Sequence, residues 1–211
     1  VLILPVMFLP IYYLYGSGRV LKKINIYMNQ YKPPVAPARK FPAPPHIAKQ
    51  FSGLSSLSGF PVFTDTQSEY FPTGESFFNA VKKDLLAAEK FIFLEFYIIN
   101  KGKMWEEIFS ILKEKAVSGV KVYMLFDDMG TITHLNRSFK NELKQEGIIA
   151  KSFNAFSGRL TPAVNYRDHR KIVVIDGKIG YSGGTNIADE YINLIQPFGY
   201  WKDAAVRLEG S

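Results

Sequence analysis

Hydrophobic and polar positions follow three successive patterns along this chain. The first, Val1 to Tyr15, contains no charged or amide side chain. As a helix at ~1.5 Å per residue it spans ~22 Å, short of the ~30 Å hydrocarbon core of a bilayer. It reads as the end of a transmembrane helix over residues 1–18 whose start has been cut off. Tyr12, Tyr13 and Tyr15 fall at the interfacial belt and Arg19, Lys22 and Lys23 just beyond it. Pro5 and Pro10 argue against the alternative, a buried core helix. The second pattern is broken by proline: six prolines lie between Lys32 and Pro45, interspersed with bases. Such a stretch is extended and packs no core, so residues 19–58 read as a basic linker.

The third pattern, from residue 59 to 211, alternates between helical and strand spacing. Phe77, Phe78, Val81, Leu85 and Leu86 recur at helical spacing after Thr73, an N-cap residue with Glu75 in the first turn, and predict a helix over Thr73–Ala88. Phe91–Ile99 is a nearly unbroken apolar run of strand length. Trp105–Ala116 is amphipathic, Val120–Phe126 is a second apolar strand, and Leu135–Gln145 reads as a helix stopped by Gly147. Ile172–Ile175 is β-branched throughout. Asp176-Gly177 then predicts a hairpin that returns through Lys178–Tyr181. Strand and helix in alternation predict an α/β sheet, and strands apolar on both sides predict that helices cover both of its faces.

Composition narrows the class of protein. With 47% hydrophobic residues in a 211-residue chain there is material for a real core, which excludes disorder, collagen and coiled coil as global descriptions. The length admits one domain plus an appendage. Zero cysteines exclude a disulfide scaffold, a thiolate nucleophile and any Cys-ligated metal. The formal charge of +7 is located in one place: residues 1–50 hold seven bases and no acid, and the remainder is neutral. A nucleic-acid binder carries its excess on the folded face that grips phosphate, so no nucleic acid is expected as partner. A basic tail beside an apolar segment instead suits an anionic membrane surface, and the positive-inside rule puts residue 19 onward on the cytoplasmic side of the cell membrane.

Candidate chemistry is concentrated in NYRDHRKIVVIDGKIGYSGGTN, Asn165 to Asn186. His169 and Lys171 are two apart and project to the same side of the sheet. An imidazole beside an ammonium suits a phosphate ester, the lysine holding an oxygen while the ring attacks phosphorus or moves a proton. Gly183, Gly184 and Asn186 on the return strand would let backbone N–H groups and a carboxamide approach the same anion. Glu95 is the only charge in a buried strand and needs a partner or a polar cleft. Asp127 and Asp128 follow a strand where sites tend to form, but DDMGT lacks the spacing of an aspartyl phosphatase and suggests loop shaping. His46 and His134 read as surface residues.

His169, Lys171 and Asp176 form an HxKxxxxD pattern followed by Gly183-Gly184-Thr185-Asn186. This resembles the signature of the phospholipase D superfamily. With the flanking sequence through Gly199-Tyr200-Trp201-Lys202-Asp203, and with FLEFYII and DDMG upstream, residues 60–211 resemble the first catalytic half of bacterial cardiolipin synthases. The resemblance implies a phospholipase D-like mixed sheet flanked by helices. It implies a phosphatidyltransferase that condenses two phosphatidylglycerol molecules to cardiolipin and glycerol through a phosphohistidine, with no metal or cofactor. His169 matches the motif histidine. Lys171 and Asn186 would neutralise phosphoryl oxygens, with Gly183 and Gly184 at the same subsite. Asp176 is counted with the catalytic motif residues but caps the hairpin, a structural role; Asp203 would orient the histidine, and Glu95 supports the site. The partners implied are phosphatidylglycerol, anionic membrane, and a missing C-terminal half bearing a second HxKxxxxD. The alternative is a single-motif phosphodiesterase or nuclease that acts as a homodimer.

Overall fold

The structure, a computed structural model, describes Leu9 and residues 43–136, 138–155 and 166–210. The expected membrane segment and most of the linker lie outside these residues. Among those described, no helix is long and apolar enough to cross a membrane. The chain forms two compact units that divide between Asp65 and Thr66.

The described part of the first unit contains helix α1, Pro45–Ser58. The linker reading left no element there. Proline is compatible with the helix because it clusters at its start, where Pro45 occupies a position whose N–H needs no partner, and none follows before Gly59. Gly59, at φ 75°, is the left-handed C-cap, donating its N–H to Ser55 O at 2.9 Å. It closes this helix; the second unit begins at Thr66.

The second unit is a mixed α/β fold. In chain order its described elements are β1 (Gln67–Phe71), α2 (Gly74–Ala87), β2 (Phe91–Phe96), α3 (Lys103–Val117), β3 (Lys121–Asp127), α4 (Asp128–Thr131), α5 (Phe139–Gln145), β4 (Ile149–Phe153), β5 (Ile172–Ile175), β6 (Ile179–Gly183), a 3-10 turn at Asp189–Ile192, and β7 (Ala205–Glu209). The seven strands form one sheet in the order β1-β7-β6-β5-β2-β3-β4. β2, β3 and β4 are parallel and the other pairings antiparallel. The α2 helix begins as its sequence predicts, with Thr73 Oγ1 accepting from Ser76 N at 3.3 Å.

Strand periodicity divides the residues between two faces. Ile92, Leu94 and Phe96 of β2, Val122, Met124 and Phe126 of β3, and Val173 and Ile175 of β5 point one way and are buried with Val81, Leu85, Trp105, Ile108 and Leu112 of α2 and α3. Their neighbours point the other way and are only partly covered, Phe93 being 45% and Ile149 54% exposed. A groove of about 470 Å³ runs across that second face. The expected double covering is therefore absent among the described residues: the helices pack the first face. Aromatic stacking protects part of the second face, with the Phe93 and Tyr123 rings 4.7 Å apart.

Register fixes which motif residues meet. Asp176 follows β5, whereas His169 precedes it, so a whole strand separates the two. The Asp176 carboxylate accepts from Glu89 N at 2.8 Å, Lys90 N at 2.7 Å and Phe91 N at 2.8 Å, and thereby ties the hairpin to the start of β2. These bonds suit the structural, hairpin-capping role expected of Asp176: its carboxylate accepts from backbone N–H groups at the far end of the strand from His169. Asp176→Ala is expected to lower stability by about 1–2 kcal/mol, discounted for its partial exposure. A urea midpoint indistinguishable from that of the unaltered chain would contradict this anchor.

Candidate active site

Three strands deliver the site to one edge of the sheet. β2 and β3 are parallel, Phe96 lying opposite Phe126, so both leave the sheet together. β5 is antiparallel to β2, Ile172 pairing with Glu95, so residues 166–171 arrive at the edge that β2 and β3 leave. Polar groups past the C-terminal ends of parallel strands therefore converge with those ahead of β5.

Asp127, the last residue of β3, fixes this convergence. It is fully buried, where an uncompensated carboxylate would cost several kcal/mol. Its Oδ1 accepts from Met129 N at 2.9 Å and Gly130 N at 3.1 Å, capping α4. The same oxygen pairs with Arg167 Nη1 at 3.1 Å, and Oδ2 accepts from Asp168 N at 2.8 Å. Arg167 extends the clamp by donating from Nη2 to Asn154 O at 3.1 Å, just past β4. Gly130 permits the packing: a Cβ there would lie 2.2 Å from Tyr97 O. One carboxylate thus holds the segment leading into His169.

His169 is exposed, and its ring lies over Tyr97 with centroids 4.7 Å apart. Lys171 is buried, 5% exposed, with Nζ 5.3 Å from the centre of the Tyr97 ring and donating to His169 O at 2.7 Å. The pair expected to share a side meets at this tyrosine. Burial lowers the Lys171 pKa, against the opposing pull of Asp203 and Asp168.

The GGTN segment supports the site from behind. Asn186 is buried; its Oδ1 accepts from Ile98 N at 2.9 Å and its Nδ2 donates to Tyr191 OH at 2.8 Å. Gly184 donates its N–H to Ala204 O at 3.1 Å, so that group is not offered to an anion as its sequence position suggested. A Cβ on Gly184 would stand 1.9 Å from Asp203 Oδ1, and one on Gly183 2.5 Å from Ala204 O. These glycines make room for Asp203 and β7. Asp203 accepts from Ala204 N at 3.0 Å and, at a long 3.5 Å, from Trp201 Nε1. Its contacts among the described residues do not include the His169 ring; its charge is felt at Lys171. His46 and His134 are exposed.

A second cluster flanks His169. Arg170 forks onto Asp168, Nε to Oδ1 at 2.9 Å and Nη2 to Oδ2 at 3.2 Å. Arg170 Nη2 also stands 2.6 Å from Glu95 Oε1, off the hydrogen-bond axis, so that contact is ionic. The expected partner of Glu95 is therefore this Asp168–Arg170 pair. Burial first, then a hydrogen bond and repulsion from Asp168, push Glu95 up to about 7 against the pull of Arg170. Burial also pushes Asp168 upward, but hydrogen bonds from Arg170 and Glu95 outweigh it and leave its pKa lowered. Tyr97, Tyr191, Arg167 and Asp168 were not singled out from sequence; each acts through a strand or turn remote in the chain.

The Glu95 shift has a definite sign. Between its ordinary value of 4.5 and about 7 the folded chain retains a proton that the unfolded chain releases. The stability contributed by this group is complete below the ordinary value and is lost as pH rises through about 7. Glu95→Gln is expected to flatten the urea midpoint against pH across that window and to be the more stable form at pH 8. An unaltered slope would count against the upward shift of Glu95.

Sequence and fold comparisons agree with this geometry. Residues 81–196, more than half of the chain, match the family described as "Cardiolipin synthase, PLD-like domain". An uncharacterized protein of Streptococcus mutans is 52% identical over 157 residues, covering 74% of this chain and 34% of its own length. A cardiolipin synthase of Oceanobacillus iheyensis is 35% identical, covering 78% and 33%, and the major cardiolipin synthase ClsA of Bacillus subtilis is 36% identical, covering 74% and 32%. The chain spans about a third of the length of these curated relatives. Two solved structures share its fold: phosphatidylserine synthase of Haemophilus influenzae, with a TM-score of 0.55 at 18% identity over 68% of this chain and 33% of that one, and NucT of Helicobacter pylori, with 0.52 at 15% over 69% and 86%. With its HxKxxxxD residues arranged as described, the chain belongs to the bacterial cardiolipin synthase family of the phospholipase D superfamily.

Proposed function

We propose that the chain is the histidine-bearing half of a membrane-bound phosphatidyltransferase that joins two phosphatidylglycerol molecules into cardiolipin and glycerol. The observation that carries this reading is the His169–Lys171–Tyr97 cluster. An exposed imidazole that makes no side-chain hydrogen bond among the described residues adjoins a buried lysine, at the strand edge where a phosphodiester would enter.

In the first step an unprotonated nitrogen of His169 forms a bond to phosphorus while the bond from phosphorus to the glycerol oxygen breaks. Glycerol leaves with a proton from a general acid. In the second step a hydroxyl of another phosphatidylglycerol attacks phosphorus, its proton passes to the same group now acting as base, and the P–N bond breaks to regenerate His169. Lys171 would stabilise the charge on the non-bridging oxygens. Its burial makes that interaction strong, because little water screens it and the cation needs no reorganisation during the reaction. Asn186, held between Ile98 and Tyr191, retains one amide hydrogen that would serve the same anion. Asp203 would tune Lys171 electrostatically.

The acid/base group would come from a second HxKxxxxD half, since neither His46 nor His134 has a lysine two residues on. The enzyme would work at the cytoplasmic face of the cell membrane, the basic segment 19–49 meeting anionic lipid.

In the complete protein, His169→Ala is expected to abolish transfer with folding intact, because the side chain is exposed. Lys171→Met is expected to lower turnover by roughly 10²–10³-fold, the loss typical of one transition-state donor. Conversion of phosphatidylglycerol to cardiolipin, followed by chromatography, reads both outcomes. Near-normal turnover of His169→Ala, or loss of activity on chelation, would overturn the phosphohistidine reading. Transfer by residues 1–211 alone, rising with chain concentration, would replace the two-half enzyme with a homodimer.

A further inference from the structure

The stretch after the 3-10 turn, Leu194 to Tyr200, exposes apolar side chains continuously. Leu194 is 48% exposed, Ile195 51%, Phe198 81% and Tyr200 61%. Residues 191–201 read Tyr-Ile-Asn-Leu-Ile-Gln-Pro-Phe-Gly-Tyr-Trp and contain no charge. Single exposed apolar residues are ordinary, but a cluster on one uncharged loop marks a contact surface.

The loop is closed and shaped. Asn193 spans its neck, its Oδ1 accepting from Trp201 N at 2.7 Å and its Nδ2 donating to Trp201 O at 2.9 Å and Glu75 Oε1 at 2.8 Å. The tip is a tight turn in which Gly199 N donates to Gln196 O at 3.2 Å. Pro197 sits at the second position and Gly199 takes φ 84°. The neck also adjoins the candidate site. The Tyr191 and Trp201 rings lie 5.0 Å apart, Tyr191 OH accepts from Asn186, and Trp201 Nε1 reaches toward Asp203. What seats the loop therefore also sets the height of the site.

We infer that loop 194–200 inserts into the acyl boundary of a phospholipid bilayer and holds His169 and Lys171 at headgroup level. This deepens the phosphatidyl-transfer reading and rests on it for its purpose. The chemistry of the loop favours lipid. Apart from Gln196, the loop carries no charged or amide side chain to dehydrate, and an interfacial segment of this kind sinks ~5–10 Å into the headgroup and acyl boundary. Tyr200 and Trp201 follow as side chains with an apolar body and a polar tip, suited to the interface, and Lys202 stands where anionic headgroups begin. A second copy of the chain fits less well. Seven residues present far less than the ~800 Å² per partner of a stable protein interface.

The chain contains no cysteine, so a single introduced one reports a unique place. Gln196→Cys at the loop tip and, as control, Lys178→Cys in the β5–β6 turn at the other end of the sheet would each carry an environment-sensitive fluorophore. The labelled chains are bound to phosphatidylglycerol/phosphatidylcholine vesicles whose acyl chains bear nitroxide quenchers. The tip label is expected to be quenched several-fold more than the control, even though both chains share whatever else anchors them. Equal quenching would overturn the inference, as would a tip label already buried by a second copy without lipid. The same measurement in His169→Ala separates the two readings. Persistent tip quenching with transfer abolished supports the loop independently of the chemistry, whereas tip quenching that disappears with the histidine would overturn it. In the complete protein, Leu194→Ser/Ile195→Ser/Phe198→Ser is expected to raise the apparent KM on vesicles at least tenfold while sparing turnover of a dispersed short-chain phosphatidylglycerol. A loss of turnover on both would overturn a role confined to the bilayer.

Discussion

The buried carboxylate of Asp127 is the constraint on which the rest of the site depends. It caps α4, pairs with Arg167 and takes the backbone N–H of Asp168, one residue before the candidate nucleophile. The pair exists only because the fold supplies several donors at once; with fewer, desolvation of the carboxylate would outweigh the attraction. Each donor comes from a different part of the chain: the turn after β3, the segment ahead of β5, and through Arg167 the end of β4. The sheet must therefore close before His169 has a defined position. His169 itself makes few contacts among the described residues and depends on a neighbour that is fully committed.

Lys171 illustrates the opposing demand. A cation 5% exposed is costly to hold, and here its stabilisation is partial: a carbonyl at 2.7 Å, the face of Tyr97, and the fields of Asp203 and Asp168. Under the proposed function an arriving phosphate would complete the shell, so that the site gains affinity for an anion at some expense to the stability of the empty chain. Glu95 and Asp168 show a similar compromise in the opposite charge, two carboxyls around one guanidinium with Glu95 pushed up and Asp168 held down. The glycines of the GGTN segment act more simply, as the only residues that let Asp203 approach the end of β6.

Local chemistry was legible in the sequence, and long-range pairing was not. Thr73 announces its helix because capping needs only three residues, and Asp176-Gly177 announces its hairpin because a turn needs four. His169 and Lys171 do meet, but ahead of β5 and not within it, through the His169 carbonyl and the Tyr97 ring. The short β1, β4 and β7 carried too little periodicity to stand out, and the α1 helix was masked by the prolines that open it. Asp176 is legible as a hairpin cap, but its tie to the start of β2 follows from register, which no local pattern shows. The sequence around Asp127 suggests loop shaping, and its greater role needs Arg167, 40 residues away. The apolar second sides of β2 and β3 suggested helices on both faces, but nothing in a strand's own sequence says whether the cover comes from the same stretch of chain.

Hydrogen–deuterium exchange across residues 166–175, compared between the chain and its Asp127→Ala variant, tests the central claim most directly. If Asp127 places the nucleophile, the Asp168 amide in the variant exchanges ~10²–10³-fold faster, the change expected from losing a hydrogen-bonded buried charge pair. Val173 and Ile175, held in the β5–β6 ladder, keep their protection. Unchanged exchange at Asp168, or protection lost equally through the whole sheet, would contradict a local positioning role.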